Sequence, residues 1–574
     1  MPHLIFRLGS TLIAIQLATV LAWTNAYAGS ATWNAVPDNN SWADADNWTP
    51  ATVPKDTIDT ATFGSSSITD LDATYLTVGS IVFNPGASAY ILHPFDVYKS
   101  TMSGAGVFNN SGIVQTIELP AVPPFVGDEE WGTNLFTLTG SATAGTMVQY
   151  NVHGSSCGDG KTDDAALITF EGETAAGGAT FVTYPGTIGY YQCRGEGGFV
   201  DFVDSSSAAN ATFINNGGTI INNKQAGVSF SHNSSAANAT ATNNGGAVKR
   251  ANGGYASLSD EATASSATFI NNAGLVSGAH GGETLFFLTA TADNATLIAN
   301  GGPGDGGLIE FTGDSSGGTA RVQLFGNGNL DISFHSSPGV TIGSLEGDGV
   351  VFLGAQNLTV GSSNRKSVFS GLIRNGGLNR GGRGSLTKIG TSNLTLTSAN
   401  TYTGGTVVNG GTLLVNNTAG SGLGTGPVRV TTGILGGTGS TSGNVIIGIG
   451  NGAGAVLGPG EDPNTPGTLT IESSLTLKAD ATYRVTLNSN ASSADAVVAN
   501  GVGISEAQIV LSDLGSGTLP PGTVFTVISN TAATPIAGTF ANLADNSTVT
   551  VGNNTFQANY EGGTGNDLTL TVVP

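Results

Sequence analysis

Few residues in this chain are suited to chemistry. Asp159, Asp163 and Asp164 fall in the run Gly158-Asp-Gly-Lys-Thr-Asp-Asp-Ala-Ala. Grouped carboxylates of this kind could ligate a hard cation or share acid–base work, but the run lacks the glycine and distal glutamate of a calcium loop. A turn, a cation site and the remnant of a catalytic motif all remain open. His93, His153, His232, His280 and His335 are scattered with no second histidine at metal-ligand spacing, so no metal site is expected. Gly313-Asp-Ser-Ser-Gly-Gly places a serine among glycines, yet no strand-to-helix elbow or placed histidine accompanies it, and it reads as a turn. No catalytic residue and no cofactor are assigned. Arg365, Lys366, Arg374, Arg380, Arg383 and Lys388 occur together without an intervening acid, in a chain of net charge −22. Arginine forks there could hold an anionic polysaccharide or lipopolysaccharide phosphate; a solvated glycine-rich loop is the plainer reading.

The elements that must position these residues follow from composition and repetition. Of 574 residues 87 are glycine, while only 10% are charged and 39% are hydrophobic. That excludes an ordinary helical enzyme domain, and the absence of a glycine triplet period excludes collagen. The acidic balance argues against nucleic acid as a partner. Residues 1–28 read as an export signal, with Arg7 ahead of an apolar stretch and Ala26-Tyr27-Ala28 as the cleavage site; no later segment is long and apolar enough to span a membrane.

The decisive feature is a repeat. Ala211-Thr-Phe-Ile-Asn-Asn-Gly-Gly recurs as Ala239-Thr-Ala-Thr-Asn-Asn-Gly-Gly, Ala267-Thr-Phe-Ile-Asn-Asn-Ala-Gly and Ala295-Thr-Leu-Ile-Ala-Asn-Gly-Gly, each start 28 residues after the last. Each unit alternates small or polar with apolar residues and breaks at a turn cluster, which is strand chemistry. So short a unit cannot bury its own apolar face, so neighbours must stack. The predicted fold is all-β, a right-handed parallel β-helix with one turn per repeat. Phe213, Ala241, Phe269 and Leu297 are expected to form one inward row. Asn216, Asn244, Asn272 and Asn300 share a phase at which side-chain amides can bond from coil to coil. Turn preference explains those asparagines more simply than a sugar or calcium ligand does.

Further on, Gly384-Ser-Leu-Thr-Lys-Ile-Gly, Leu394-Thr-Leu-Thr, Asn400-Thr-Tyr-Thr-Gly-Gly-Thr and Asn409-Gly-Gly-Thr-Leu form a series of short strands. This series resembles the autotransporter passenger-associated β-strand repeat, and the C-terminal section resembles the passenger's C-terminal region more loosely. The translocator barrel of that family is not matched by the last residues, which are poor in aromatics. Self-translocation is therefore not implied, and a separate transport partner would fit. The Gly158–Ala166 run, for its part, resembles a motif near the start of pectate-lyase-like β-helix enzymes, where carboxylates or basic residues on later coils do the catalysis.

Trp33, Trp42 and Trp48 mark the N-terminal region; closing the open end of the core suits them better than a sugar-stacking platform. The expected organisation is a signal at 1–28, an N-terminal β region and cap at 29–130, a solenoid of about 28-residue coils at 131–364, the passenger-associated repeat region at 365–440, and a β-rich passenger-like region at 441–574. The expected function is that of an exported, non-enzymatic β-solenoid at the cell surface, outer-membrane associated, or outside the cell, in adhesion, matrix or aggregation. Surface polysaccharide or a receptor on a host or neighbouring cell would be its partner. The alternative is a β-helix polysaccharide lyase or hydrolase. Cys157 and Cys193 occupy nearly one phase of successive looser repeats, so a disulfide between adjacent coils is geometrically permitted. Thiol labelling of the exported, unreduced protein is expected to find no free thiol; two free thiols per chain would rule the bridge out.

Overall fold

The computed structural model describes residues 29–95, 99–121, 134–155, 165–187, 189–190, 193–194, 196–452, 454–461 and 465–574. The signal segment, Cys157 and the Asp159–Asp164 carboxylates lie outside these residues, as does the side chain of Cys193, so the proposed disulfide does too. Among the described residues the only helical element is a single 3-10 turn at Ala45–Asn47; the rest is strand and turn.

Short strands of alternating burial stack in parallel and in register. One wall of fifteen strands starts with Trp48–Thr49, antiparallel to Ala31–Trp33, and runs on in parallel from Ala31–Trp33 to Leu372–Arg374. A second wall carries the repeat strands: Thr212, Thr240, Thr268 and Thr296 pair in line, as do Phe213, Ala241, Phe269 and Leu297. Those last four are buried, as their inward phase requires. The fold is a parallel β-helix. Phe170, Phe202 and Phe230 stack ring on ring from the first wall at 4.4 and 4.9 Å. Tyr150, Phe181 and Phe213 do so from the second at 4.9 and 5.1 Å, with Phe202 edge-on to Phe213. Aromatic files of this kind add about 0.5–1.5 kcal/mol per pair to their burial.

Coil length is less uniform than the repeat suggests. Equivalent second-wall positions are 32 residues apart between Thr183 and Asn215, 28 between Asn215 and Asn243, and 25 between Thr296 and Arg321. The change is confined to the turns entering the first wall, because strand length is fixed by the wall. From Gly339 the second wall divides: Ser344–Gly347 continues the ladder of Arg321–Leu324, and Gly339–Ile342 starts a second one. Parallel stacking continues through Gln508–Asp513 before antiparallel strands Val524–Asn530, Thr548–Val551, Asn554–Gly562 and Asp567–Val573 close the C-terminal end. At the other end Trp33, Trp42 and Trp48 are buried, packed edge to face at 4.8–5.1 Å and seated on Phe63. They plug the core, and their burial rules out a sugar platform.

Two asparagine ladders run up the second wall. In the outer one Asn244 Nδ2 donates to Asn216 Oδ1 at 3.4 Å, Asn272 to Asn244 at 3.0 Å and Asn300 to Asn272 at 2.9 Å. The inner one lies one residue earlier and is fully buried. Asn215 Nδ2 donates to Asn243 Oδ1 and Asn243 Nδ2 to Asn271 Oδ1, both at 2.7 Å. The same amides also donate across the core, Asn215 to the Tyr255 carbonyl at 3.1 Å and Asn243 to the Glu283 carbonyl at 2.8 Å. The inner ladder stops where Ala299 replaces asparagine, leaving Asn271 Nδ2 without a partner.

At the turn between walls, the Ser207, Ser235, Thr263 and Thr291 hydroxyls each accept the amide two residues on. Those amides belong to Ala209, Ala237, Ser265 and Asp293, all at positive φ. The local hydroxyl bond offsets the cost of about 1–2 kcal/mol for a left-handed non-glycine residue.

Asn243→Ala removes the buried bonds to Asn215, Asn271 and the Glu283 carbonyl and is expected to cost about 2–4 kcal/mol in urea unfolding, whereas Asn244→Ala in the half-exposed outer ladder should cost under about 1 kcal/mol. Equal effects would show that the inner ladder carries no special weight.

Candidate functional site

The alternation that sends Phe and Leu inward sends their neighbours to the outer surface of the first wall. There two columns run side by side. One reads Tyr255, Glu283, Leu308, Asn329 and Val350; the other reads Ser257, Leu285, Glu310, Asp331 and Phe352. A lateral groove of about 450 Å³ opens over them, lined by Gln225, Asn252, His280, Glu283, Asp331 and Phe352 among others. One side is built from the turns entering the wall, where His280 Nδ1 and Asp305 Oδ2 lie 2.9 Å apart. The far end is closed by the 375–384 loop. Asp331 holds that loop down, its Oδ2 accepting the Leu378 amide at 2.8 Å and its Oδ1 the Ser333 amide at 2.7 Å. Ser333 Oγ accepts the Asn379 amide at 2.9 Å, and Gly377 adopts φ +118° where it crosses Asp331.

Charge in the groove is one-sided. Among the described residues its lining contains Glu283, Asp305 and Asp331 and no lysine or arginine. Glu310, only 8% exposed, stands between Glu283 and Asp331 on the same surface. Burial first, then the Glu283 and Asp331 charges, push its carboxyl up to about 7. Burial also raises Glu283, partly countered by a hydrogen bond from Gln225 and by His280. Desolvation, partly countered by Ser257 and reinforced by both glutamates, lifts the Tyr255 phenol to about 12. No group of three or more His, Cys, Asp or Glu side chains among the described residues is arranged to hold a metal ion.

The six clustered cations do not share a surface. Arg365 and Lys366 lie on the second wall beside Arg321 and Glu346. Arg374 belongs to the first wall, its guanidinium 5.7 Å over the Phe352 ring, and Arg380 and Arg383 are exposed on the 375–384 loop. Lys388 is buried at 1% exposure, in register with Val360 and Val408. Its ammonium reaches the Ile389 and Gly410 carbonyls, and desolvation lowers it to about 8. Lys388 therefore cannot join a surface anion site. In Ser-Leu-Thr-Lys the alternation puts Leu386 and Lys388 on one inward side, which local charge density does not register. The groove carboxylates were not singled out from the sequence. Glu310 and Asp331 are in register and Glu283 stands in the neighbouring column, but the coils between them differ in length and conceal the alignment.

Residues 386–415 match the family described as Passenger-associated-transport-repeat. They lie in strands Ser385–Lys388, Asn393–Leu396 and Gly405–Val415, which continue the parallel ladders without interruption. No curated protein matches the chain. Among solved structures the Haemophilus influenzae Hap adhesin aligns with 90% of this chain at 12% identity and a TM-score of 0.32, and this chain spans 59% of that one.

Because the native Glu310 carboxyl titrates at about 7 against 4.5 for the free group, the folded state holds a proton that the unfolded chain has released across that window. Its contribution to stability is thus greatest below pH 4.5 and falls as pH rises to about 7, by an amount of the order of 3 kcal/mol. Glu310→Gln is expected to flatten that part of the stability profile and to stabilise the protein at pH 8; an unchanged profile would contradict the assignment. The matched segment, 386–415, is thus one part of the parallel β-helix, paired in register with the strands before and after it.

Proposed function

We propose that the protein is exported and acts as a non-enzymatic β-solenoid at the cell surface or outside the cell, in adhesion, matrix formation or aggregation. The passenger-associated repeat at 386–415, built into the stack itself, carries this reading. The architecture supports it: a long wall of repeated side chains offers extended contact, and stacked coils need no membrane-embedded element to fold. No helix among the described residues is long and apolar enough to cross a membrane. Fractionation of producing cells is expected to find the protein at the surface or in the medium, and its deletion to reduce cell–cell or cell–surface attachment at least several-fold. Retention in the cytoplasm, or attachment unchanged by deletion, would overturn the proposal.

One observation favours a second reading, that of a polysaccharide-cleaving enzyme. Glu283 and Asp331 line a lateral groove with Glu310 between them on the same wall, and glycosidic cleavage uses pairs of carboxylates in a cleft. Chain cleavage of a polysaccharide by the purified protein, lost in Glu310→Gln, would establish it in place of the non-enzymatic role.

A further inference from the structure

We propose that the outer face of the second wall binds the surface of an ice crystal. This deepens the adhesion reading by naming a solid that the chain holds, and it rests on that reading only for its place outside the cell. Three observations carry it. The first is a two-column array in strict register. Thr180, Thr212, Thr240, Thr268 and Thr296 form one column, and Val182, Ile214, Thr242, Ile270 and Ile298 form the next. All ten side chains are half-buried or exposed, while Phe181, Phe213, Ala241, Phe269 and Leu297 between them are buried in the core. Strand preference admits valine, tyrosine or phenylalanine at such positions as readily as threonine. One coil further on, the same two columns carry Arg321 and Gln323. The run of threonine therefore exceeds what the strands need.

The second is that these hydroxyls are free. Among the described residues, no hydrogen bond within the protein engages the hydroxyl of Thr180, Thr212, Thr240, Thr242, Thr268 or Thr296. At the preceding turn, by contrast, the Ser207, Ser235, Thr263 and Thr291 hydroxyls are each occupied by a backbone amide. A β-branched side chain on a strand has few χ1 choices, so the free hydroxyls stand in fixed rows before any ligand arrives. The outer asparagine ladder, two residues beyond the second column, ties the same coils together.

The third is the match of spacing and charge. Coils stand ~4.8 Å apart and alternate residues of a strand ~6.6 Å apart, close to the two oxygen repeats on a prism face of hexagonal ice. From Thr212 to Thr296 each coil is 28 residues long, which keeps the rows aligned. The five coils make a run of about 19 Å. Threonine hydroxyls both donate and accept, as lattice water requires, and the methyl rows between them restrict the orientation of the first water layer. None of the ten side chains is charged or aromatic, on a chain of net charge −22. An uncharged face complements an uncharged solid, whereas a charged one holds a liquid hydration shell. A sugar chain is gripped instead by convergent polar groups and aromatic rings, and these two columns present parallel hydroxyls and methyls.

The test grows ice slowly from a solution of the purified, fluorescently labelled full chain and measures how the protein divides between the ice and the remaining liquid. The chain is expected to be enriched in the ice about tenfold over a non-binding protein of similar size. Thr240→Lys and Ile270→Lys, which set a charge in the middle of the array, should each cut that enrichment about fivefold. Thr548→Lys, exposed on Thr548–Val551 at the C-terminal end, leaves it unchanged. Thermal unfolding of each variant separates loss of fold from loss of binding; if Ile270→Lys does not fold, Thr240→Lys alone decides. Exclusion of the chain from ice, or enrichment that neither lysine variant lowers, would overturn the proposal. So would retention on microcrystalline cellulose that Thr240→Lys abolishes, with no enrichment in ice, since that assigns the face to a polysaccharide. None of these outcomes bears on export, which the fractionation measures independently.

Discussion

Everything in this molecule depends on coils lying in register one strand spacing apart. A single coil has two or three strands of about four residues and no way to cover its apolar side, so its stability is the sum of what it shares with the coils above and below. In-register stacking makes like residues neighbours. Apolar residues then form files, such as Phe170, Phe202 and Phe230, and buried amides can satisfy one another, as Asn215, Asn243 and Asn271 do. A shift of one residue would turn each of these inward side chains to solvent.

The inner asparagine ladder also connects the stack to the groove. Asn215 and Asn243 donate to the carbonyls of Tyr255 and Glu283, the residues that begin the groove's floor on the opposite wall. The floor is therefore held from inside by the same amides that hold coil to coil. Asp331 works from outside, accepting the amides that seat the 375–384 loop at the groove's end. A concave site arises on an otherwise regular wall because one loop folds back over it and because the turns beside it shorten along the chain.

Charge is distributed with the same economy. Pairs such as Arg321 with Glu346 and His280 with Asp305 lie at the periphery, where solvent screens them. Lys388 in a core position and Glu310 beside the groove are among the buried groups that depart from this pattern. Lys388 finds backbone carbonyls, so it is a solvated cation transplanted into the interior. Glu310 has the Glu283 and Asp331 carboxylates beside it, and burial together with their charge raises its affinity for the proton.

Much of the fold was legible in the sequence because it is periodic. The 28-residue recurrence of Ala-Thr-Phe-Ile-Asn-Asn-Gly-Gly fixes strand, turn and stacking together, and placed Phe213, Ala241, Phe269 and Leu297 inward and the tryptophans at an end. The same recurrence set Asn216, Asn244, Asn272 and Asn300 at one phase, where the amides meet. It did not distinguish them from Asn215, Asn243 and Asn271, since adjacent asparagines differ only in which side of the strand they occupy. Where the period fails, so does the reading. Lys388 belonged to a dense local run of cations, but strand parity turned it inward. Glu283, Glu310 and Asp331 share no motif and no constant spacing, because the intervening coils differ in length. Local alternation determines which way a side chain points; which side chains meet across coils is decided only once turn lengths have set how the coils align.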